Sequence, residues 1–112
     1  MEVPKDDIGG PALIWCPFPD AATAAATAKT LLDERLVACA NIVPVMLSLF
    51  EWNGERGEAS EAGALFKTDV ALLDRAIARL AEEHPYEEPA VLAWHCDAAT
   101  SGTIAWLKAL TR

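Results

Sequence analysis

A chain of 112 residues has room for one domain, and 53% apolar residues with four tryptophans are enough to build its core. The formal net charge of -8 repels phosphate backbones, which sets nucleic acid aside as a partner. No apolar run is long enough to cross a bilayer, so no membrane partner is expected either.

Residues 1–10 contain no apolar stretch of the signal-peptide kind and end in Gly9-Gly10, so they read as a short disordered lead-in. The domain is then residues 11–112. Its first strand is the apolar run Ala12 to Cys16, stopped by Pro17-Phe-Pro19. Asp20 stands where a helix N-cap belongs, ahead of an Ala-rich helix from Ala21 to Leu36. Its apolar stripe is Ala24, Ala28, Leu31 and Leu32, with Lys29, Asp33 and Arg35 left to face water.

Ala38 to Trp52 is strand-like with Pro44 in its middle. Proline donates no ladder hydrogen bond, so this strand lies at an edge or is bent by a bulge. Ile42 to Leu47 is apolar at every position, which predicts that both faces are covered, most simply by another subunit. Asn53-Gly54 is a hairpin signal, with Glu55 to Glu58 as a charged loop tip and a return strand ending in Ala64 to Thr68. A second helix runs from Asp69 to Glu83, with Val70, Leu73, Ile77 and Leu80 on one face, and stops where Pro85 follows His84. His84 to Pro89 is an ordered turn, Ala90 to His95 the fourth strand, and Ser101 to Leu110 a last helix. The order β-α-β-β-α-β plus a C-terminal helix is that of an α+β, ferredoxin-like fold.

Four segments carry a family resemblance: Leu31 to Pro44 (LLDERLVACANIVP), Ser48 to Gly54 (SLFEWNG), Lys67-Thr68, and His84 to Glu87 (HPYE). In this order and spacing they resemble the CutA divalent-cation-tolerance family, from about Ala12 to the C-terminus. The resemblance implies a tight homotrimer in which long strands pair between neighbouring subunits, and a link to copper and other divalent metals. It implies no secure catalytic activity. In some bacterial relatives the proposed copper ligands are a cysteine ending the first strand and two adjacent histidines before Pro-Tyr. Cys16 and His84 match those positions, while Glu83 replaces the first histidine. That change puts a hard carboxylate where a borderline imidazole would sit.

On their own chemistry, Cys16, Glu83 and His84 form a workable ligand set for Cu(II) or another divalent cation, bound weakly. The blander reading makes His84 a helix-terminal residue and Cys16 a small buried hydrophobe. Cys39 and Cys96 read as core residues. Three cysteines without paired spacing suit free thiols in a reducing compartment, hence the cytoplasm. Lys67, just before a helix N-terminus, is placed to hold an anion against the amides of Asp69 and Val70, or to bridge to a neighbouring subunit. Tyr86, between two prolines, and Trp52 are candidate ligand or interface aromatics.

No phosphate-binding loop, HExxH or GxSxG motif is present, and a Cys16-His84 nucleophile pair lacks a third group to orient it. The expected protein is therefore not an enzyme. It is a cytoplasmic trimer that binds divalent metal weakly and serves the response to metal ions. The alternative is a trimeric module whose intersubunit clefts hold a small ligand or a partner protein.

Overall fold

The computed structural model describes residues 9–112; of the expected disordered lead-in, residues 1–8 lie outside the described residues. In chain order come β1 (Pro11–Phe18), α1 (Ala21–Asp33), β2 (Cys39–Trp52) and β3 (Glu55–Asp69). A 3-10 turn (Val70–Leu72) then leads into α2 (Leu73–Glu83), followed by β4 (Leu92–His95), α3 (Ser101–Lys108) and a closing 3-10 turn (Ala109–Thr111). The four strands form one antiparallel sheet in the order β2-β3-β1-β4, the expected ferredoxin-like arrangement.

Period-two alternation decides what the sheet buries. Ala12, Ile14, Cys16 and Phe18 of β1 and Ala64 and Phe66 of β3 are fully buried in one core cluster. α1 adds Ala24, Ala28 and Leu31 to that cluster, and α2 adds Leu73, Ala76 and Leu80. The alternate residues Leu13, Trp15 and Leu65 point to the other face and are half-buried. α3 lies against β1 and β3 and buries Leu107.

Local chemistry fixes the element ends. The Asp20 carboxylate accepts from the Thr23 amide at 2.8 Å, so the expected N-cap forms. α1 stops at Asp33 rather than Leu36, because Arg35 takes a left-handed φ of 56°. The Leu36 amide then reaches the Leu31 carbonyl and the Arg35 amide the Leu32 carbonyl, a Schellman closure without the usual glycine. This early stop turns Leu36 and Val37 into the core, where the Leu36 carbonyl accepts from the buried Thr68 hydroxyl at 2.7 Å.

β2 is an edge strand and bulges at its proline. Val43 pairs with Gly63 and Met46 with Glu61, so Pro44 and Val45 share the place opposite one residue. Both alternatives read from Pro44 therefore hold. The predicted cover is absent from the chain itself: Val45 is 74% exposed and Leu49 70% exposed. Asn53 (φ 52°) and Gly54 (φ 80°) make a two-residue turn with both φ positive. Glu55 to Glu58 are strand and not a loop tip, since Trp52 pairs with Glu55 and Phe50 with Gly57. A side chain at Gly57 would run into the Phe50 ring, which packs against it.

Candidate functional site

α2 ends at Glu83 because His84, held extended (φ -69°, ψ 139°) ahead of Pro85, cannot continue it. This delivers the imidazole onto the end of β1. It stacks on Phe18 with ring centroids 4.2 Å apart. Its Nδ1 accepts the Tyr86 amide at 3.0 Å, so the proton belongs on Nε2, which donates to the Pro17 carbonyl at 2.7 Å. Both ring nitrogens are thereby used.

Burial holds the His84 pKa below the ordinary 6.5, although the Pro17 carbonyl and the Glu61 charge push the other way. The sign of the stability effect follows from linkage. The unfolded state takes the proton more readily, so the neutral ring's stabilisation is complete above about pH 6.5 and is lost as pH falls below it. Urea midpoints measured from pH 7.5 to 5 should fall, and the fall should flatten in His84→Gln.

Tyr86 packs beside the same ring, centroids 4.9 Å apart, and donates its hydroxyl to Glu61 at 2.7 Å. Burial, reinforced by that carboxylate, raises the phenol to about 12, so it stays a neutral donor. Cys16 is fully buried, and burial together with the Glu61 charge raises its thiol to about 12. A thiol that far above neutrality supplies no thiolate. Alkylation by iodoacetamide at pH 7.5 should label Cys39 and Cys96, both half-buried and not in the core as expected, and leave Cys16 unmodified until the chain unfolds.

These facts describe what surrounds each residue of the expected metal set. Glu83 is ion-paired with Arg79 at 2.6 Å, and that guanidinium also grips Glu34 at 2.8 Å and Glu82 at 3.2 Å. Cys16 is a protonated core thiol, and His84 has no free lone pair. In the single chain the three are not grouped around a common point. No group of three or more His, Cys, Asp or Glu side chains is placed to hold a metal ion among the described residues. At the expected anion site beside Lys67 one of the two amides has another partner. The Val70 amide already donates to the Gly10 carbonyl at 2.8 Å, and the carboxylate of Asp69 itself caps the Ala71 amide at 2.9 Å. An anionic ligand would meet that buried carboxylate.

What the sequence did not disclose is a cleft of about 930 Å³ between the β2–β3 hairpin and the His84–Pro89 turn. Phe50, Trp52 and Tyr86 line it with Pro17, as do Glu61, Glu87 and Glu88. Among the described residues no lysine or arginine lines it. Two of the candidates, Tyr86 and the 59% exposed Trp52, meet here. Glu61 was missed: its role depends on strand register, which places it within reach of Tyr86, and nothing local in the sequence marks that.

Residues 12–110 match the family model described as "CutA1 divalent ion tolerance protein". The chain belongs to this family. It is 34% identical over 100 residues to the divalent-cation tolerance protein CutA of Pectobacterium atrosepticum, covering 89% of this chain and 91% of the relative. It is 36% identical over 95 residues to CutA of Pyrococcus horikoshii, covering 85% and 92%. The crystal structure of the divalent ion tolerance protein CutA1 from Ehrlichia chaffeensis superposes with a TM-score of 0.87 at 27% identity, over 94% of this chain and 98% of that one. The family is named for tolerance of divalent ions. Its membership confirms the fold and resemblance read from the four segments.

Proposed function

We propose that this CutA-family chain works as a cytoplasmic homotrimer in divalent-cation tolerance, engaging divalent metal weakly through exposed carboxylates and not through Cys16, Glu83 and His84. The observation that carries the assembly is the uncovered apolar edge: Val43, Val45, Leu47 and Leu49 of β2 are all exposed in the single chain. A long apolar edge strand left open invites aggregation, so a defined partner strand is its natural cover. The number three comes from the family resemblance. Weak metal engagement accords with the net charge of -8 and with the lack of a preformed ligand set among the described residues.

A second reading, a trimeric module that holds a small ligand, is favoured by the cleft at the hairpin. Its aromatic walls have no use in coordinating a hydrated metal ion.

Native mass spectrometry with and without limiting copper tests the first reading. The expected spectrum shows three subunits with only fractional copper, unchanged by His84→Ala. A monomer would overturn the assembly. Tight stoichiometric copper that disappears in His84→Ala would overturn the weak-binding reading and reinstate the histidine as a ligand.

A further inference from the structure

We draw no further inference here: the strongest candidate, the cluster of Glu34, Glu82 and Glu83 carboxylates around Arg79 at the C-terminal ends of α1 and α2, is an acidic cluster already answered by that guanidinium, and nothing beside it among the described residues points to a ligand.

Discussion

Phe18→Ala should be among the most damaging single substitutions in this chain, lowering stability by about 3–5 kcal/mol. Phe18 closes β1 with no exposure to solvent and packs inside the cluster that joins the sheet to α1 and α2. Removing the ring loses its transfer energy and opens a cavity that rigid neighbours, two strands and a proline-flanked segment, refill poorly. It also removes the face on which His84 stacks at 4.2 Å. Two readouts follow from one variant. The urea midpoint should drop at a fixed protein concentration, a control that matters if subunits associate. The His84 titration, followed by NMR, should move up toward 6.5, because burial is the main cause of its depression. A lower midpoint with an unmoved His84 titration would mean that the imidazole is buried by something other than Phe18.

That coupling also shows why the fold was legible in the sequence and the site was less so. Strand and helix order follows from short-range chemistry. Asp20 is a cap wherever it precedes a helix, Asn53-Gly54 turns a chain back in two residues, and Pro44 disrupts whichever ladder it enters. Each acts through its own backbone, so its effect travels with the sequence. The errors came where a distant partner decides. Glu55 to Glu58 looks like a charged loop until Phe50 is known to pack against Gly57. Arg35 looks like part of α1, yet the chain closes there in a left-handed residue so that Leu36 and Val37 enter the core.

The site depends on such partners throughout. His84 has the side chain of a ligand, but its chemistry is set by the Pro17 carbonyl, 67 positions away, and the Tyr86 amide. Glu83 has the side chain of a ligand too, and Arg79 claims it one helical turn back. Residue type states what a group can do, while hydrogen-bond partners state what remains free. The cleft is harder still to read, since it exists only once the register of β2 on β3 brings Phe50, Trp52 and Glu61 opposite Tyr86.

Val45→Glu should convert the proposed trimer to monomers while leaving the subunit folded. Val45 sits in the β2 bulge beside Pro44, 74% exposed, so it contributes little to the chain's own core. A carboxylate there costs the isolated subunit almost nothing. At a subunit contact the same group must be stripped of water without a partner, a penalty of several kcal/mol per ion. A closed trimer repeats it at each of its contacts. Native mass should shift to the monomer, with the far-ultraviolet circular dichroism of the native chain retained. The magnitude separates this from a surface effect, since exposed substitutions away from any contact stay within about 0.5 kcal/mol and would leave subunit number unchanged. Should the trimer persist in Val45→Glu, the bulged edge would not be the subunit contact. The exposed Leu92 and Trp94 on β4, the opposite edge of the sheet, would then be the apolar surface left to supply it.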